Sequence, residues 1–554
     1  MRILLVILTA TAGVLALTSC KQASKQENAN TAAKTTPEIE IVADRFADIQ
    51  MLRYTIPGFE ELSLPQKQLA YYLYMAGMSG RDIFYDQKNR YNLQIRKTLE
   101  TILETYQGDK NEDNYKKFMV YAKRFFFSNG IHHHYSTDKM IPEFDPAFLD
   151  TLISKSDYSK MPNEGKKIEE FISFLKPILF DPKLDAKGVS LAADVDNVKA
   201  SSSNLYENVT QKEVEQFYKN KILPGVKEQP SWGLNSKVMK VNGKIEEQVW
   251  KSGGMYGAAI DKIVYWLEKA VTVAENDAQK ATLEALVKFY KTGNLKDYDD
   301  YCVLWVKDTA SRIDIANGFI EVYLDPMHKK GAYESVLSLK DLEATKRIAA
   351  IGKEAQWFED HSPILPEHKK KNVKGISAKV ITVINECGDA APSTPIGINL
   401  PNQEWIREKV GSKSVSLGNI VASYNYARAK SPMIDEFGEN PQVIERVKKY
   451  VGKDAWKNVA FESIFYQDIL QKNQADIYRR MKPHIRGQGL RRFLMYNFSD
   501  AASLDYHEEN ANSAYRQAQS RISNALRNVY EKCGQRDVPV VILAYSLGCH
   551  VISN

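Results

Sequence analysis

The sequence predicts an α-rich α+β fold in two lobes. Apolar residues recur three and four apart from Phe46 to about Leu175, and again from Ile263 to Lys291, the period of helices with one buried face. The stretches at 311–324 and 380–385 are instead rich in β-branched residues and read as strands. Helices and strands do not alternate regularly and no repeat period is evident, which argues against a regular α/β sheet.

At the N-terminus, Met1-Arg2 leads into an apolar run from Ile3 to Leu17 that is short for a permanent span and reads as a signal peptide over 1–19. The run closes on Leu17-Thr18-Ser19-Cys20, which resembles a bacterial lipobox, so Cys20 is the expected lipidation site. Lys21 follows rather than Asp, so the resemblance carries no inner-membrane retention signal. The segment 20–39 is a polar tether without the apolar residues of a core. The expectation is an exported bacterial lipoprotein, on the periplasmic side or the outer membrane, held to the membrane by its lipid anchor.

Along the folded chain, residues 89–108 show the helical pattern most plainly. Leu93, Ile95, Leu99, Ile102 and Leu103 gather on one face, Arg96 and Glu100 lie on the other, and Gly108 ends the element. Ile263, Trp266, Leu267, Ala270, Val271 and Ala274 make a second stripe. A further helix is expected from about Asn276 to Lys291, with Gly293 as its C-cap. A short strand is expected at 237–241 within a more polar region.

Composition narrows the function. The 75 Lys and Arg against 69 Asp and Glu give a net charge of +6 over 554 residues, with no clustered basic stripe to suggest nucleic acid. Five Cys without a C-x-x-C exclude a disulfide scaffold and a cysteine zinc site. His132, His133 and His134 are adjacent, so their rings point in different directions and cannot chelate one ion as an i, i+4 pair would; a polar loop is expected.

Two segments carry more specific information. The first is Asn317-Gly318-Phe319-Ile320-Glu321-Val322-Tyr323-Leu324-Asp325-Pro326; the second is Pro395-Ile396-Gly397-Ile398-Asn399-Leu400-Pro401-Asn402, followed by Val415-Ser416-Leu417-Gly418-Asn419. They resemble the peptide-binding strands of dipeptidyl peptidase III, peptidase family M49, over about residues 40–452. The resemblance implies a zinc peptidase that removes dipeptides from the N-termini of short peptides. It makes Glu321 the partner of the substrate ammonium and gives Asn399 and Asn402 the peptide backbone. It places Tyr323 near the scissile carbonyl, and 396–398, Gly397 included, beside an added strand. It also implies a lower lobe over 40–340 and 383–428 and a partial upper lobe over 341–382 and 429–454, with the upper, zinc-bearing lobe largely missing.

The family's H-E-x-x-G-H ligands and its E-E-x-R-A-D/E helix are not found. The one His followed by Glu is His507, with Ala511 and Asn512 where the motif needs Gly and His. Zinc is expected for the family, yet no metal ligand is assigned in this sequence, so a peptide-binding remnant without catalysis is the alternative.

Beyond about Asp454 the character changes. An amphipathic helix over 514–533 and the apolar run Val540–Ala544 lead into Tyr545-Ser546-Leu547-Gly548, which looks like the nucleophile elbow that begins an α/β-hydrolase, with Ala544 for the usual first Gly. Ser546 is the candidate nucleophile of a serine esterase over 455–554. In that fold the acid and His follow the Ser, and Asn554 is eight residues away. The two resemblances meet near 450–457, so a composite sequence is the hypothesis.

Overall fold

The computed structural model describes residues 3–7, 40–361, 365–371, 373, 376–392, 394–430, 461–464, 514–533 and 540–543. The chain divides into two compact units, one of residues 42–420 and the other of 1–41 with 421–554.

In the larger unit a five-stranded sheet is built from β1 (Ile313–Phe319), β2 (Tyr333–Lys340), β3 (Ile376–Gly388), β4 (Gly397–Leu400) and β5 (Ser412–Leu417). The spatial order is β4-β5-β3-β2-β1, with β3 and β5 parallel and the other pairs antiparallel. This mixed sheet with its helices is the α+β class expected. Strand β3 runs well beyond the β-branched core at 380–385, and the expected lobe boundary at 382–383 falls inside it. Strand β1 ends at Phe319, short of the expected Leu324, because Asp325 folds the chain into a turn. Its buried carboxylate accepts the amides of Met327, Lys329 and Lys330.

The two faces of the sheet differ. Ile313, Ile315 and Phe319 of β1 and Leu337 and Leu339 of β2 point into the main core. Helices α1 (Leu64–Ser79), α2 (Gly257–Val271) and α3 (Asp277–Thr292) add their own buried stripes to it. Helix α1 starts where its sequence says: Ser63 and Gln66 form a capping box, and Leu69, Ala70, Leu73 and Ala76 face inward. Gly80 beyond it must lack a side chain, since a Cβ there would lie 2.0 Å from the Tyr333 ring. Helix α3 ends at the expected cap, Gly293 in the left-handed conformation at φ 68°, and begins after Asn276, whose side chain accepts from Gln279 N.

On the other face the sheet curls. Lys413 of β5 and Asp314 of β1 form an ion pair at 2.6 Å, although β3 and β2 lie between their strands. In a flat sheet three inter-strand gaps would hold them about 14 Å apart. The concave face so produced is covered by helix α4 (Leu295–Lys307), whose Trp305 lies under Lys413 with the ammonium 4.2 Å from the ring centre.

The helices of 92–105, 113–128, 148–154 and 168–180 enclose a second core around Ile102, Phe118, Phe125, Leu152 and Phe171. The histidine run sits beside it in a loop. His132 is buried with Nε2 on the Asp185 carbonyl at 2.7 Å, His133 Nδ1 accepts the Tyr135 and Ser136 amides, and His134 Nδ1 faces Ser128 Oγ at 3.3 Å.

In the smaller unit, strand Ile3–Ile7 lies between strands Phe461–Ile464 and Val540–Leu543, parallel to both, and helix Ala514–Lys532 buries Ala518, Ala525 and Val529. Residues 3–7 belong to the run expected as the apolar part of a leader, and in this structure they form the middle strand of that small sheet. Cys20, His507 and Ser546 lie outside the described residues, as does the proposed junction at 450–457. Among the described residues no helix is long and apolar enough to cross a membrane.

Candidate functional site

The chain leaving β1 and the chain leaving β4 meet at one place. After Phe319 the backbone stays paired for two more residues: Ile320 N donates to Ala332 O at 3.0 Å, and Ala332 N donates to Glu321 O at 2.7 Å. This holds Glu321 half-buried and leaves Tyr323 exposed. From the other side, β4 runs from Gly397 through Asn399 to Leu400, continues through a cis Leu400–Pro401 bond, and brings Asn402 against Glu321. Asn402 Nδ2 donates to Glu321 Oε1 at 3.2 Å.

Strand β4 is an edge strand: Gly397 to Leu400 pair with β5 on one side only. Gly397 and Asn399 are exposed, and a Cβ at Gly397 would come within 3.3 Å of the Val415 carbonyl. The free edge offers the unpaired backbone groups that an extended peptide needs to add a strand.

Glu321 and Asn402 stand at the rim of a cavity of about 850 Å³. Its wall includes the aromatic side chains of Tyr218, Trp232, Tyr298, Tyr301 and Trp305. Trp305 is fixed there because its Nε1 donates to Asp314 Oδ1 at 2.8 Å, and Asp314 also holds Lys413. Gln403, next to Asn402, has a buried Oε1 with no hydrogen-bond partner, and so has Trp232 at Nε1. These are an acceptor and a donor at the cavity left for a ligand to satisfy.

The electrostatics favour a cation beside Glu321. Burial raises the Glu334 carboxyl well above the usual range, helped by Asp389, Glu321 and Glu386 nearby. Burial likewise pushes Asp389 up to about 6, Lys88 opposing and Glu321 adding to the rise. Glu386 is pushed up to about 7 by burial, against a hydrogen bond from Thr394. A row of carboxyls whose ionised forms are disfavoured is what an incoming ammonium would relieve.

The sequence-assigned residues Glu321, Tyr323, Asn399, Asn402 and Gly397 fall on the two segments that converge here, and Glu321 and Asn402 touch. The aromatic wall and Gln403 went unrecognised, although Tyr298, Tyr301 and Trp305 follow the three-and-four spacing of one helix face. Among the described residues no three His, Cys, Asp or Glu side chains are grouped to hold a metal.

Fold and site together define an α+β protein with a peptide-sized cleft at the end of an edge strand. Residues 192–452 match the sequence model of peptidase family M49. The match ends at Gly452. Dipeptidyl peptidase 3 of Rattus norvegicus is 25% identical over 350 residues, which cover 59% of this chain and 47% of the relative. Dipeptidyl peptidase 3 of Homo sapiens is 24% identical over 353 residues, with the same shares covered. The chain therefore spans about half the length of the curated relatives it matches. The structure of DPP III from Caldithrix abyssi shares the fold, with a TM-score of 0.51 at 16% identity over 86% of this chain and 82% of that one.

Proposed function

We propose that this chain binds the free N-terminus of short peptides, with Glu321 pairing the ammonium, Asn402 and Asn399 taking the peptide backbone, Tyr323 lying along the following bond and the β4 edge at Gly397 accepting an added strand. The observation that carries this reading is the 3.2 Å bond between Asn402 and Glu321 at the end of an open edge strand. A peptide running antiparallel to β4 would begin at Asn402, so its ammonium would arrive at Glu321. Calorimetric titration of a tripeptide into the wild-type chain and Glu321→Ala tests it; equal heats would remove the idea.

The relatives' names point to removal of N-terminal dipeptides, and in a complete enzyme of the family zinc would activate the attacking water. The residues present do not fit that ion. The sequence carries no H-E-x-x-G-H, and in the histidine run His132 Nε2 is taken by the Asp185 carbonyl and His133 Nδ1 by the Tyr135 and Ser136 amides. We therefore read the chain as a binder of peptides rather than a hydrolase acting on them. Metal content after purification with zinc present tests this, and stoichiometric zinc would overturn it.

Two further readings concern the smaller unit. Export and lipidation at Cys20 would remove residues 1–19, and with them the strand Ile3–Ile7 that lies between two parallel neighbours. Hydrolysis by Ser546 needs that sheet intact, since Val540–Leu543 leads toward the Ser and pairs with Ile3–Ile7. The two make opposite demands on the N-terminus. The intact mass of the protein from its native host, with fluorophosphonate labelling of the same sample, separates them: a lipidated Cys20 start without label supports the lipoprotein, and a full N-terminus with label supports the esterase.

A further inference from the structure

Inside the curl of the sheet lies a second cavity, of about 30 Å³, bordered by Asp314, Ser311, Ser338, Lys340 and Lys379. A single water needs roughly 10–15 Å³, so this one has room for one small ion. Lys379 is 7% exposed, and no described residue accepts a hydrogen bond from its ammonium. The other polar groups are committed elsewhere. Lys413 is paired with Asp314, Lys340 donates to the Thr309 carbonyl, Ser311 donates to Asp308, and Ser338 Oγ donates to the Asp314 carbonyl. The charges acting on Lys379 are Lys413 and Lys340, and Asp314 and Asp308. With Lys379 itself, these described groups are three cations against two anions, an excess of one positive charge in a place where an unpaired ion is costly.

We propose that this cavity binds a monatomic halide, chloride under ordinary conditions, held by Lys379 with Lys340 at its open side. The small volume favours a monatomic ion over phosphate, sulfate or a carboxylate, and the missing negative charge separates an anion from a water. Burial, and then Lys413, push the Lys379 ammonium down to about 8, so it still carries its proton at neutral pH. The ion lies behind the wall of the larger cavity, because Trp305 and Ala316 border both. The site stands independently of the peptide reading.

Thermal unfolding of the full chain is followed in sodium chloride and sodium gluconate at one ionic strength, for wild type, Lys379→Met and Lys340→Met. The expected result is a saturable rise in Tm with chloride in wild type, weakened in Lys340→Met and abolished in Lys379→Met. Equal Tm in the two salts, or a chloride response that survives Lys379→Met, overturns the site. Should Lys379→Met fail to fold, a wild-type crystal soaked in sodium bromide decides: an anomalous peak within hydrogen-bond reach of Lys379 Nζ upholds the site, and none there overturns it.

Discussion

Asn402 donates its side-chain amide to Glu321 at 3.2 Å, and 81 residues separate the two. Each stands just past the end of a strand, and β1 and β4 are opposite edges of one sheet, so the contact exists because the sheet curls. Bonds to a charged group are worth about 1.5–3 kcal/mol. Asn402→Ala should therefore weaken tripeptide binding roughly ten-fold or more while moving the unfolding midpoint little, since Asn402 is exposed. Fluorescence titration beside a urea melt checks both halves.

Gln403 gives a sharper separation of function from stability. Its buried acceptor has no partner, so Gln403→Met should leave the melting temperature unchanged or raise it, by up to about 1 kcal/mol of stability. Peptide affinity should fall in the same variant. A loss of both would show that the side chain serves the fold instead.

The Lys413–Asp314 pair holds the curl closed, with the Lys413 side chain fully buried. Asp314→Ala should cost about 3–5 kcal/mol, because it leaves a buried charge uncompensated and frees the Trp305 indole. The double replacement Asp314→Leu with Lys413→Met should recover most of that loss. Urea unfolding of the three proteins measures it.

His132 makes the larger unit sensitive to acid. Burial holds its imidazole down at about 4, against an ordinary value near 6.5. Between those two pH values the unfolded chain binds more protons than the folded one, so stability is highest above pH ~6.5 and falls as the pH drops towards ~4. The shift corresponds to roughly 3 kcal/mol, and His132→Gln should flatten that part of the stability–pH curve. Urea midpoints of both proteins at several pH values read it.

Gly388 is held by its backbone. It has φ 71°, and a Cβ there would lie 2.0 Å from the Tyr333 carbonyl oxygen. Gly388→Ala should destabilise by more than about 1 kcal/mol, and thermal melting should show it.

Much of this was legible because the signals were local. The start of α3 at Asn276 and its cap Gly293, the stripe of α2 and the β-branched centre of β3 need only their neighbours in sequence to be read. Glu321, Tyr323, Asn399 and Asn402 were legible through short patterns that a family resemblance made specific, not through their chemistry, since a lone Glu on a strand is ordinarily solvated. The curl was not legible, because it depends on Lys413 meeting Asp314 across two intervening strands. With it went Trp305, Gln403 and the cavity they border, which only tertiary contact assembles.

The central claim is that Glu321 recognises a free peptide ammonium. The most direct test is calorimetry of the wild-type chain with one tripeptide in two forms, free and N-acetylated. The account predicts measurable binding of the free peptide and a loss of roughly ten-fold or more on acetylation, with Glu321→Ala reducing the free form to the acetylated level. Equal binding of the two forms by the wild-type chain would contradict it.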